Sequence, residues 1–178
     1  FDIVGFDYIT DGTIERIDTL IEGESRPRRK RVNLEGSTVP GFEISTFITQ
    51  LNPLSIEASL AWMQPRATAP NAVDSTDFLA ERPEMIAFVA LDYNFDFGLQ
   101  PTIEVSHTKP GYSLGDGGFV ELPSYTVLNA RLAYRFFFSG MSAQVFMRAN
   151  NLTDANPMNQ LGLPGAGREI HGGVKVLF

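Results

Sequence analysis

Few residues in this chain have types and spacings that could do chemistry. Histidine occurs only at His107 and His171. The two are far apart and lack the H-x-x-x-H spacing that would place both imidazoles on one metal. His171 alternates with Glu169 and Lys175, a pattern that predicts a polar hydrogen-bond network rather than a metal centre. Cysteine is absent, so neither a disulfide framework nor a thiolate metal site is available. There is no glycine-rich phosphate loop, no nucleophile elbow and no carboxylate pair at a catalytic spacing. The sequence therefore points to no enzyme and to no cofactor. It assigns no catalytic, cofactor-binding or metal residue, and it leaves the substrate-binding residues unknown.

One charge cluster stands out. Arg26, Arg28, Arg29, Lys30 and Arg31 form a dense basic run in a chain whose net charge is −7 and whose pI is near 4.8. The overall acidity argues against a general nucleic-acid binder. In an external loop, such a run binds lipopolysaccharide phosphates or an anionic substrate; the plainer alternative is a solvated loop. Asn150, Asn151 and Asp154 form the other conspicuous polar group. Asx side chains at the end of a strand satisfy backbone groups that the ladder no longer pairs.

The elements that must position these residues are strands. Mean hydropathy is −0.05, and no apolar run approaches the roughly 20 residues of a membrane helix. A transmembrane barrel hides from such windows, because its strands alternate apolar and polar residues. That alternation is present. Leu99, Pro101, Ile103, Val105 and His107 share one face, and Gln100, Thr102, Glu104, Ser106 and Thr108 share the other. In the final stretch, 168–178 (REIHGGVKVLF), Ile170, Val174, Val176 and Phe178 oppose Glu169, His171 and Lys175. Mid-strand Gly172 and Gly173 suit sharp curvature or a close neighbour, for which a plug packed against the wall is one candidate.

The periodicity predicts about eight strands, near 1–20, 32–49, 54–64, 84–95, 98–108, 124–137, 140–151 and 167–178. The first pattern slips around residues 10–13, which suggests a bulge or a separate hairpin. Short connections at 50–53, 94–97 and 138–140 alternate with long ones at 21–31, 65–83, 109–123 and 152–167. Outer-membrane barrels are built this way, with short periplasmic turns and long external loops. Aromatics gather at two levels. Tyr93, Phe95, Phe97, Phe136, Phe137, Phe138 and Phe178 lie on the short-turn side, and Phe42, Trp62 and Tyr125 lie towards the other. This arrangement predicts interfacial girdles.

The chain resembles the carboxy-terminal part of TonB-dependent outer-membrane receptors. The resemblance rests on 32–43 (VNLEGSTVPGFE), on Arg82-Pro83 before a strand, and on Tyr125 and Leu128 in the first strand of the penultimate hairpin. It rests further on 146–154 (FMRANNLTD), on 164–168 (PGAGR) and on the terminal Phe178. It implies an all-β fold, an antiparallel transmembrane β-barrel segment that forms the last part of a 22-stranded barrel. Residues 1–178 would then be a carboxy-terminal barrel portion, with the plug and the earlier strands outside this chain. The partners implied are those strands, the plug, the TonB complex and the lipid bilayer, and the localisation implied is the bacterial outer membrane. The function implied is energised uptake of a scarce solute such as a ferric siderophore, haem, cobalamin or a glycan. For Phe178 the resemblance implies a part in the signal read by the barrel-assembly machinery. Two other readings compete: a self-contained eight-stranded outer-membrane barrel with a structural or adhesive role, and a soluble carbohydrate-binding sandwich.

Overall fold

The computed structural model describes residues 1–12, 14–19, 28–33, 36–69, 76–115, 117–138 and 140–177. In chain order the strands are β1 (Asp2–Asp11), β2 (Ile14–Thr19), β3 (Arg28–Asn33), β4 (Gly36–Ile48), β5 (Leu54–Met63), β6 (Arg66–Ala67), β7 (Met85–Tyr93) and β8 (Leu99–Lys109). They continue with β9 (Tyr112–Gly115), β10 (Gly118–Glu121), β11 (Tyr125–Phe138), β12 (Met141–Asn150), β13 (Met158–Gln160), β14 (Leu163–Pro164) and β15 (Glu169–Leu177). Eight of these form one antiparallel path in the order β1-β4-β5-β7-β8-β11-β12-β15, and the two-residue β6 pairs with β4.

Every neighbour on the path is also the next long strand in sequence, so the sheet is a meander. Its short turns, 49–53, 94–98 and 139–140, lie at one end, and its long connections lie at the other. The long connections carry their own two-stranded sheets, β2–β3, β9–β10 and β13–β14. The slip at residues 10–13 is a strand boundary: β1 stops at Asp11, Gly12 has φ 73°, and β2 starts the separate hairpin. The expected connection at 21–31 is partly strand for the same reason, since 28–33 pairs back on β2.

Among the described residues β1 pairs only with β4 and β15 only with β12. A self-contained eight-stranded barrel requires a β1–β15 ladder, which this sheet order does not contain. The wall is open at both edges.

Directly opposed residues in an antiparallel ladder point to the same side. One face can therefore be followed across the sheet: Ile3, Ile44, Leu60, Ala87 and His107 lie in one row. Val89, Val105 and Leu128 lie in the next, and Leu132, Met147 and Gly172 in another. This face is nearly continuous in apolar side chains and is exposed, with Met147 at 58% and Val174 at 68%. In water such a surface would be an aggregation site; against lipid tails it is the solvated side. Met85 to Tyr93 is eight steps of about 3.3 Å. At the usual tilt near 40° that gives a height of about 20 Å, close to the roughly 25 Å apolar band of an outer-membrane barrel.

The band ends in aromatics. At the short-turn end the rings of Tyr93 and Phe95 lie 4.5 Å apart, and those of Phe95 and Phe97 lie 5.1 Å apart. At the other end Phe42 and Trp62 meet at 5.7 Å. Three expected members differ. Phe137 stands opposite Ser142, on the face that carries Arg131 and Arg135 rather than with Phe136 and Phe138. Tyr125 falls on the opposite face, and its hydroxyl donates to Asn159 Oδ1 at 2.8 Å, so it anchors a loop rather than joining the outer level. Phe178 lies outside the described residues.

Candidate functional site

The polar face of the sheet is the candidate site. On β1, β4, β5 and β7 it presents Asp2, Glu43, Glu57 and Asp92. On β8, β11, β12 and β15 it presents Gln100, Thr102, Glu104, Asn129, Arg131, Arg135, Gln144, Arg148, His171 and Lys175.

Register brings several of these side chains into three hydrogen-bonded groups on β7, β8, β11 and β12. Glu104 Oε2 accepts from Arg148 Nη2 at 2.8 Å and from Asn129 Nδ2 at 3.2 Å. Arg148 Nε also donates to Asn150 Oδ1 at 2.7 Å. Gln144 forms a second group, accepting from Arg131 at 3.5 Å and donating to Gln100 at 3.1 Å. Separately, Thr102 donates to Asp92 at 2.6 Å and joins the polar faces of β8 and β7. Arg131 stands directly opposite Arg148, a like-charge pair that would be unfavourable alone. The Glu104 carboxylate offsets one guanidinium. The other lies 5.4 Å from the centroid of the Phe146 ring.

Phe146 reaches that position because residue 173 has no side chain. It stands opposite Gly173, and a Cβ there would fall 2.7 Å from Phe146 Cζ. The neighbour that Gly173 admits is thus a ring of the wall itself, not a plug. At Gly172 a Cβ would meet only the Phe146 carbonyl oxygen, at 3.5 Å. The sheet repeats the device near its other edge, where Phe6 stands opposite Gly41 and its Cζ lies 2.7 Å from the position of a Cβ.

The predicted polar cluster at the end of β12 divides its roles. Asn151, 4% exposed with φ 51°, donates through Nδ2 to the carbonyls of Ala155 at 2.8 Å and Ala166 at 3.1 Å. Its Oδ1 accepts from the Ala155 N–H at 2.9 Å, and its own N–H donates to Asn129 Oδ1 at 2.9 Å. Asp154 accepts from the Arg168 N–H at 3.2 Å. These two close the strand onto the local backbone as expected, whereas Asn150 serves the Arg148 network instead. His171 Nε2 lies 3.3 Å from Glu169, in line with the predicted network, and His107 Nδ1 lies 2.8 Å from Thr126 Oγ1 on the apolar face. In the basic run Arg28, Arg29, Lys30 and Arg31 lie on β3, with Arg16 directly opposite Arg31. Arg26 and the side chains of Arg28, Arg29 and Lys30 fall outside the described residues.

The long connections pack together. Ser113 is 1% exposed and Leu122 2%. Phe78 stacks on Tyr112 at 3.7 Å, and Ser113 Oγ accepts from the Leu161 N–H at 3.0 Å. Three of the four long connections are therefore tied to one another, which the sequence did not suggest: strands of two to four residues are too short for a periodic signal.

No family model matches the sequence, and no curated protein matches it. Among solved structures, a similar chain is the ferric-catecholate import receptor Fiu from E. coli K12, in its closed crystal form. The TM-score is 0.66 at 16% identity, and the match covers 98% of this chain. The fold is that of a segment of the Fiu barrel wall. The chain spans 24% of the length of Fiu. In a barrel wall of this fold the apolar face is the outer one, and the face that carries Glu104 and Arg148 is the inner one.

Proposed function

We propose that residues 1–178 are the carboxy-terminal barrel portion of an outer-membrane receptor that takes up a scarce solute with energy delivered through TonB. The observation that carries this reading is the open eight-stranded meander, apolar on one face and hydrogen-bonded on the other, in the fold of an import receptor. Both open edges of the wall would be paired by further strands of the same barrel, because unpaired edges invite aggregation. A plug would fill the lumen, and the TonB complex would act through it. The Arg26–Arg31 run would meet lipopolysaccharide phosphates at the outer surface.

The solute classes to test are ferric siderophores, haem, cobalamin and glycans. The likeness to Fiu puts a ferric catecholate first. The experiment is uptake of radiolabelled iron catecholate by cells that carry the receptor as their only iron-uptake route, with and without TonB. TonB-dependent accumulation supports the proposal. Accumulation unchanged by loss of TonB contradicts it.

A further inference from the structure

The buried leucines among the described residues do not lie in the wall. They are Leu79 and Leu122, and both sit in long connections, as does the buried Ser113. Leu79 belongs to the connection 64–84, between β5 and β7. Ser113 and Leu122 belong to 110–124, between β8 and β11.

The first of these connections is joined to the second face to face. The rings of Phe78 and Tyr112 lie 3.7 Å apart with 8° between their planes, and Phe119 meets Phe78 edge-on at 6.2 Å. Ala80 forms a parallel bridge with Tyr112, and the Glu81 N–H donates to the Tyr112 carbonyl at 2.7 Å. At the foot of the pair Lys109 Nζ lies 2.6 Å from Glu84 Oε2 and 3.7 Å from Glu121 Oε1, so one cation holds a carboxylate of each connection. The second connection is joined to the third, 151–168, by the Leu161 N–H on Ser113 Oγ. A Cβ at Gly115 would fall 3.4 Å from Leu161 Cδ2, so the two chains also touch there. Tyr112 and Ser113 are consecutive, so both ties meet at one point of β9.

The pieces are too small to hold themselves. The strands of β9–β10 have four residues each, and those of β13–β14 have three and two. An isolated two-stranded hairpin is marginal in water, and ordering its backbone costs entropy that only burial offsets. Here the burial comes from the neighbouring connection, so the order of each depends on the next.

We infer that the connections 64–84, 110–124 and 151–168 form one cooperative unit with two states, ordered and open, and that Tyr112 and Ser113 relay order between the outer two. A contact made by a solute or a partner with any one of them shifts the order of all three, and the coupling is reciprocal. The inference concerns the connections alone and stands apart from the proposed uptake.

The test is amide hydrogen exchange of the intact protein in lipid vesicles, which reads local opening segment by segment. Phe78→Ala removes the stack from the first connection. It is expected to speed exchange about tenfold at 112–122 and equally at 158–163, the scale of one lost aromatic stack with its burial. Protection along β8 and β11 is expected to stay as in wild type. Ser113→Ala cuts the hydrogen bond to the third connection. In that background Phe78→Ala is expected to add less than about twofold at 158–163, the non-additivity of residues acting through one path. Phe78→Leu carries the same comparison if Phe78→Ala does not reach the folded band on gels. Acceleration at 112–122 with 158–163 as in wild type overturns the inference. So does an effect at 158–163 that Ser113→Ala leaves undiminished, because the relay would then run elsewhere. Loss of protection along β8 and β11 as well would make the connections part of the wall rather than a unit of their own, and overturns it too.

Discussion

Phe146 and Gly173 stand directly opposite each other on β12 and β15, and the phenyl ring occupies the space a side chain at residue 173 would need. The ring in turn carries the Arg131 guanidinium on its face. One glycine thus settles where a phenylalanine lies and where an arginine of the polar face points.

Gly173→Val is therefore expected to lower the stability of the wall by about 1–3 kcal/mol, the usual range for overpacking. Gly172→Ala, with only a carbonyl oxygen at 3.5 Å, is expected to change it little. Urea unfolding in detergent micelles, followed by tryptophan fluorescence from Trp62, measures both. Equal effects at the two positions would contradict the packing described.

Asn151 joins the end of β12 to both ends of the last long connection. Asn151→Ala removes the Nδ2 and Oδ1 partners of Ala155 and Ala166, three part-buried hydrogen bonds worth about 1 kcal/mol each where water does not replace them. Hydrogen exchange at the Ala155 amide should accelerate, while the amides of β11 keep their protection.

Ser113 ties two of the long connections together. Ser113→Ala deletes the acceptor for the Leu161 N–H, a bond worth about 1 kcal/mol. Exchange at Leu161 is expected to rise severalfold without a change in overall stability greater than that. Protection of Leu161 equal to wild type would show that the loops are held by other contacts.

The two faces respond differently to charge. Val89 lies midway along the apolar face of β7, so Val89→Lys is expected to cost about 2–4 kcal/mol in a bilayer. Ser59→Lys, exposed on the polar face one strand away, is expected to be close to neutral. Folding into vesicles, measured by the band shift between folded and unfolded forms, distinguishes them.

Much of the wall was legible in the sequence because its signal is local. The alternation from Leu99 to Thr108 needs no partner strand to be read, and neither does the short–long order of connections. What escaped depends on register between distant residues. Gly172 and Gly173 look equivalent in sequence, and only the pairing of Phe146 with Gly173 separates them. Tyr125 looked like an interfacial aromatic by its position along the strand, but its partner Thr108 places it on the polar face. Gln100, Glu104, Asn129, Arg131, Gln144 and Arg148 were visible as the polar halves of their strands. That they form two hydrogen-bonded groups follows from two adjacent registers, β8–β11 and β11–β12, which no single strand contains.

The most direct test of the account is accessibility along β12 and β15 in the bilayer. The chain has no cysteine, so nitroxide labels can be placed on single introduced cysteines from 142 to 149 and from 170 to 176 without background from it. The account predicts collision with oxygen, which concentrates in lipid, to peak at residues 143, 145, 147 and 149 and again at 170, 174 and 176. Collision with a water-soluble nickel chelate should peak at the intervening positions, 144, 148, 171 and 175 among them. A period other than two, or uniform exposure to the nickel chelate along both strands, would contradict the reading of this sheet as a membrane wall.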